Sequence, residues 1–169
     1  MPNWTSNRLY VEGDPTDLRA FLDAVKWEDK VFDFNRIIPM PEALKGTVSG
    51  FTRIDGKEVS SWKEDLNADG KAIPRVFSPE EQSELERIGF FNWYDWSCAN
   101  WGTKWNADHP RIEDDTIEHG YLEIFFETAW SEPEPIFRKL IEMFPKLTFD
   151  CRWRYEDDDP FPNSLTNVG

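Results

Sequence analysis

The 169-residue chain holds two cysteines, two histidines, and nineteen lysines and arginines against thirty-three aspartates and glutamates. Each scarcity excludes something. Cys98 and Cys151 are too few for a disulfide framework, and reduced thiols in a cytosol-like compartment are expected. With His109 and His119 they show no paired CxxC or HxxxH spacing, so the motifs predict no metal site. The formal charge of −14 and the isoelectric point near 4.5 repel phosphate at long range, which argues against direct nucleic-acid binding and anionic membranes. No apolar run approaches the roughly 20 residues that span a bilayer. The opening MPNWTSNRLY has neither the basic nor the apolar region of a signal peptide. The expectation is a cytoplasmic protein with no membrane partner. GxxxxGKS/T, GxGxxG and GxSxG are all absent, so no catalytic residue and no cofactor is expected, and the reading leans away from an enzyme.

Aromatic residues, by contrast, are abundant at 15%, with nine tryptophans. NRLYVE alternates with Leu9 and Val11 on one side and predicts a strand. In the following GDPTDLRAFLDAVK, Asp14 is a helix cap, Pro15 sits in the first turn, and Leu18, Phe21, Leu22 and Val25 share a face. VFDFNRII predicts a second strand, stopped by Pro39 and Pro41. Near the C-terminus YLEIFFET alternates, SEPEPIFRKLIEMFP carries an apolar helical stripe behind a Ser131/Glu134 capping-box spacing, and LTFDCRWRY alternates again. The order strand–helix–strand, insertion, strand–helix–strand predicts an α+β, ferredoxin-like β-α-β…β-α-β sandwich. It would be one domain over 1–169: a four-stranded antiparallel sheet with two helices on one face. A long, Trp-rich, partly helical insertion, about 42–118, would cover the other face. Within it, 45–77 is polar and predicts a mobile loop. Ser78, Pro79, Glu81 and Gly89 bracket one helix, and Asn92 and Gly102 a shorter one. The tail, 156–169, is acidic and reads as irregular.

NWYDWSCANWGTKW, residues 92–105, contains Trp93, Trp96, Trp101 and Trp105. Packing is one reading, because aromatic stripes at helical spacing build cores. The other is a pocket in which Trp93, Trp96, Trp101 and Trp105 stack a planar ligand. Lys104 would meet its anionic group, and Asn100 and Thr103 its polar edges. Asn3 and Asn7 would either latch the N-terminus to this cluster or add ligand donors.

MPNWTSNRL, YDWSCANWGTKW and ETAWSEPEP, in that order, resemble the YubB/Api-type family of phage- and plasmid-borne proteins, over nearly the whole chain. The resemblance implies a ferredoxin-like fold and a mobile-element origin, and no established activity. The chain departs from that family at Thr5, where the family favours Cys, and in the polar insert 45–77. The function expected first is a non-enzymatic acidic binding protein that engages a host protein with a basic surface, as an inhibitor or nucleic-acid mimic. The alternative is a small-molecule or nucleotide binder, conceivably an enzyme, built on the 93–105 cluster.

Overall fold

A computed structural model describes residues 2–156, 158 and 160–167. The chain forms two compact units, one from the residues up to Pro39 together with those from Asn100 onward, the other from Met40–Ala99. In chain order the elements are β1 (Trp4–Glu12), α1 (Pro15–Val25), β2 (Val48–Ile54), β3 (Lys57–Leu66), β4 (Ala72–Arg75), α2 (Pro79–Ile88), α3 (Trp93–Asn100), β5 (Asp108–Thr116), β6 (Tyr121–Ala129), α4 (Glu134–Met143), β7 (Thr148–Arg154) and β8 (Asn163–Thr166).

The first unit is built on an antiparallel sheet of order β5-β6-β1-β7-β8. The alternation read from the sequence sets its two faces. Leu9, Val11, Leu122, Ile124, Phe126, Phe149 and Cys151 are buried on one of them. Against that face α1 lays Leu18, Phe21 and Val25, and α4 lays Ile136, Phe137 and Leu140. Phe21 meets Phe149 and Phe144 edge-on, and Phe137 meets Phe126 and Trp153. Burying one such side chain contributes about 1.5–3 kcal/mol. Asp14 caps α1 by accepting from the Thr16 amide at 2.8 Å, as its position predicts.

Several expectations need correction. Residues 31–38 form no strand; Phe34–Arg36 is a single 3-10 turn. Asp33 is the reason, because its carboxylate accepts the Asn35 amide at 2.8 Å and so caps a turn locally. Phe32 and Phe34 both pack on Phe126. The strand beside β6 is instead β5, which belongs to the first unit, while the second spans Met40–Ala99. The sheet has five strands rather than four, because the tail returns as β8 along β7. Asn167 fastens that return, donating to the Leu147 carbonyl and accepting from the Phe149 amide. Asp157, Asp159, Val168 and Gly169, also part of the predicted irregular tail, lie outside the described residues. Ser131 does not cap α4: Pro133 takes that position with no side-chain bond, and the Ser131 hydroxyl donates to the Gly102 carbonyl at 2.6 Å.

The second unit replaces the predicted loop at 45–77 with a three-stranded meander, β2-β3-β4. Asp55 and Gly56, with φ of 50° and 78°, make the two-residue turn whose twist suits a hairpin. Leu44, Trp62, Leu85 and Trp96 are its buried apolar side chains. Ser78 and Glu81 cap α2 reciprocally, and Gly89 ends it in the left-handed region, as predicted.

Candidate binding surface

Three chain segments meet at one edge of the first unit. Lys104 places its ammonium 4.4 Å from the Trp105 ring centroid and 4.9 Å from that of Trp130. Trp4 lies 6.2 Å from Trp105, centroid to centroid. Trp105 is 39% and Trp130 49% exposed. Each cation–π contact at such an exposed site contributes about 0.5–1 kcal/mol. The result is a shelf of indole surface around a lysine.

The shelf rests on a polar frame in which Asn7, Thr103 and Thr128 are buried. Trp130 has φ of 71°, a conformation costing a bulky residue on the order of 1–3 kcal/mol unless its surroundings fix it. They do so on each side. The Trp130 amide donates to the Asn3 carbonyl at 2.8 Å, and the Ala129 carbonyl accepts from the Thr103 hydroxyl at 2.8 Å. Thr128 donates to the Ser131 carbonyl at 2.7 Å and accepts from the Asn7 amide nitrogen at 2.9 Å. Gly102 permits the crossing: its φ is 78°, and a Cβ there would stand 2.8 Å from Pro135 Cδ.

Of the nine residues expected to line a pocket, Lys104 and Trp105 lie on this shelf, and Asn3, Asn7 and Thr103 form the frame beneath it. Trp101 is core: it is 3% exposed, its indole nitrogen donates to the Ile38 carbonyl at 2.8 Å, and its ring meets Phe34 edge-on. Asn100 closes α3 and is half-buried. Trp93 and Trp96 belong to the second unit. There Trp96 is buried, and the Trp93 amide donates to the Thr47 hydroxyl at 2.9 Å. The run 92–105 is therefore both core and surface, divided between two units. Trp4 and Trp130 complete the shelf without being predicted, although both sit in blocks already singled out, MPNWTSNRL and ETAWSEPEP.

The sheet face opposite the helices continues this chemistry. Arg8 is ion-paired with Glu123, and its guanidinium lies 5.7 Å from the Phe125 ring and 5.2 Å from that of Phe161. Arg111 sits 4.0 Å from the Phe125 ring centroid and pairs with Glu113 at 2.5 Å. Arg152 pairs with Asp150 and lies 5.5 Å from the Tyr10 ring. Carboxylates thus offset these three arginines, and Arg154 lies 5.0 Å from the Phe161 ring on the same face.

A groove of about 360 Å³ opens here, lined by Tyr10, Glu12, Tyr121, Thr148, Asp150 and Arg152. The two tyrosine rings stand 6.4 Å apart. Desolvation, with the Glu123 charge adding, pushes the Tyr121 phenol up to about 12. A phenol that ionises later in the folded state than in the unfolded one favours folding below the unfolded value of about 10 and loses that contribution as pH rises toward 12. In an ultraviolet titration the wild type is expected to show one tyrosine ionising near pH 12, and Tyr121→Phe to lack it. An unchanged Tyr121→Phe profile would assign that step elsewhere. In the second unit a wider groove of about 570 Å³ is lined by Val59, Ser61, Val76, Phe77, Phe91 and Asp95, among others. Burial raises the Cys151 thiol above its ordinary value, which leaves it an inert core group.

Residues 100–159, somewhat over a third of the chain, match the model of a family described as a ferredoxin-like domain in Api92-like protein. That span runs from the last residue of α3 to just beyond β7 and includes Lys104, Trp105 and Trp130. No curated protein and no solved structure gives a significant match. No described helix is long and apolar enough to cross a membrane.

Proposed function

We propose that this is a non-enzymatic binding protein of phage or mobile-element origin. It docks a host protein with a basic surface, anchored by Trp105, Trp130 and Lys104. In this reading the first unit is a ferredoxin-like domain of the Api type, and residues 40–99 are its insertion. One observation carries the reading: two exposed indoles flank a lysine, beside a hydrogen-bonded frame that sustains the strained backbone of Trp130. Tryptophan is enriched among the residues that dominate interface energies, and a pre-ordered one loses little entropy on docking. The first unit carries 22 acidic against 12 basic residues, which favours a basic partner and speeds the encounter. The origin rests on the three resembling blocks and on the matched family. A partner that itself binds nucleic acid would see the acidic surface as a substitute for phosphate.

The test is a partner recovered by cross-linking from host lysate and then measured by calorimetry. Trp105→Ala and Trp130→Ala are each expected to weaken binding by about 2 kcal/mol, roughly 30-fold, with melting temperatures close to wild type. Wild-type affinity in both variants, or binding abolished entirely by moderate salt, overturns the reading.

A second reading, a small-molecule or nucleotide binder, is favoured by the Tyr10–Tyr121 groove rather than by the 93–105 run. Stacking between two rings beside Arg152 and Thr148 suits a planar organic ligand. A thermal shift produced by one ligand class and lost in a Tyr10→Ala/Tyr121→Ala variant would establish it.

A further inference from the structure

Asp108 is the first residue of β5 and stands opposite Glu127 of β6. Two carboxylates opposed on neighbouring strands oppose pairing, by roughly 0.2–1 kcal/mol, and a cation between them reverses the sign of that term. The next residue supplies a third donor. The β5–β6 register shifts between Asp108 and Arg111, and His109 takes a left-handed φ of 45°. Its Nδ1 is 2.8 Å from Asp108 Oδ2. One donor atom from each of Asp108, His109 and Glu127 lies within 4.8 Å of the others. In a tetrahedral complex with bonds of 2.0–2.2 Å the donors stand about 3.4 Å apart, a separation that falls inside the 4.8 Å span of these three.

We propose that Asp108, His109 and Glu127 form a site for one first-row divalent metal ion, with zinc the best fit. One imidazole nitrogen and two carboxylate oxygens suit zinc and its neighbours; magnesium and calcium prefer sets made of oxygen alone. Three protein ligands leave the fourth position open. Because His109 is exposed, that position faces solvent, where water or a side chain of a docked protein completes the sphere. Four sulfur or nitrogen donors close a structural zinc site, and this one is built differently. The site stands apart from the proposed docking function, since it uses none of the shelf residues.

The experiment titrates zinc into the full chain after chelation and dialysis, followed by calorimetry, with cobalt(II) absorption as a second readout. The expected result is one saturable equivalent and a cobalt band whose intensity reports low coordination number. His109→Ala and Glu127→Gln should each weaken binding at least about tenfold, and millimolar magnesium should not compete. None of the three side chains is buried, so metal-free variants are expected to melt with the wild type, which circular dichroism checks. The absence of a one-to-one step overturns the proposal. So does zinc affinity unchanged in both variants.

Discussion

Trp101→Ala is expected to lower the stability of the protein by about 3–5 kcal/mol, and Trp105→Ala, four residues on, by less than about 1 kcal/mol. The difference follows from what each ring touches. Trp101 fills space against Phe34, which packs in turn on Phe126 at the centre of the core. Its indole N–H also satisfies the Ile38 carbonyl. Truncation leaves a cavity and an unpaired acceptor, and both terms have the same sign. Trp105 has one face on Lys104 and an edge toward Trp4, with much of its surface in water. Urea unfolding of the two variants, followed by far-ultraviolet circular dichroism, measures the contrast. Equal losses would place Trp105 in the core and remove it from any docking surface.

Asn7→Asp is expected to cost about as much, 3–5 kcal/mol at pH 7, for an electrostatic reason. Asn7 is fully buried. Its amide nitrogen donates to the Thr5 carbonyl at 3.0 Å and to Thr128 at 2.9 Å, while its Oδ1 has no partner among the described residues. A carboxylate in that place finds acceptors where it needs donors. Burial then raises the new aspartate's folded pKa above its unfolded value of about 3.9. The variant therefore approaches wild-type stability below pH 4 and loses ground as pH rises through the folded value. Denaturant midpoints at pH 4 and pH 7 test this. A loss that does not depend on pH would mean that a donor reorganises to meet the charge.

Much of the first unit was legible because its strands alternate apolar and polar residues, as Leu9 and Val11 or Leu122, Ile124 and Phe126 do. Helix ends were legible where side chains act on the adjacent backbone, as Ser78, Glu81 and Gly89 do. The meander at 48–75 was hidden because its strands carry Ser, Thr, Arg, Lys and Glu on exposed and half-exposed positions and bury few side chains. β8 has a single apolar residue, Leu165, and only its pairing with β7 makes it a strand. The segment 31–38 misled by spacing: Phe32, Phe34 and Ile37 are buried, but Asp33 turns the chain between them. Within the surface shelf, Lys104 and Trp105 could be read as neighbours in sequence. Trp4 and Trp130 could not, because β1–β6 pairing, which sets Trp4 opposite Ala129, joins segments more than a hundred residues apart. The β5–β6 ladder sets Glu127 opposite Asp108, a convergence that no spacing rule for His and acidic residues encodes.

The bond from Trp101 to the Ile38 carbonyl does one more thing. Ile38 and Trp101 sit beside the two points where the chain leaves the first unit and rejoins it, so that bond ties the exit to the re-entry. Once the ends of an excursion are fixed, its length matters little to the fold that holds them, because closure entropy grows only with the logarithm of loop length. Evolution can therefore lengthen, shorten or exchange residues 40–99 while the sheet, its two helices and the tryptophan shelf keep their geometry. Diversity among related chains is expected to concentrate there, with the frame around Trp130 as the inherited part.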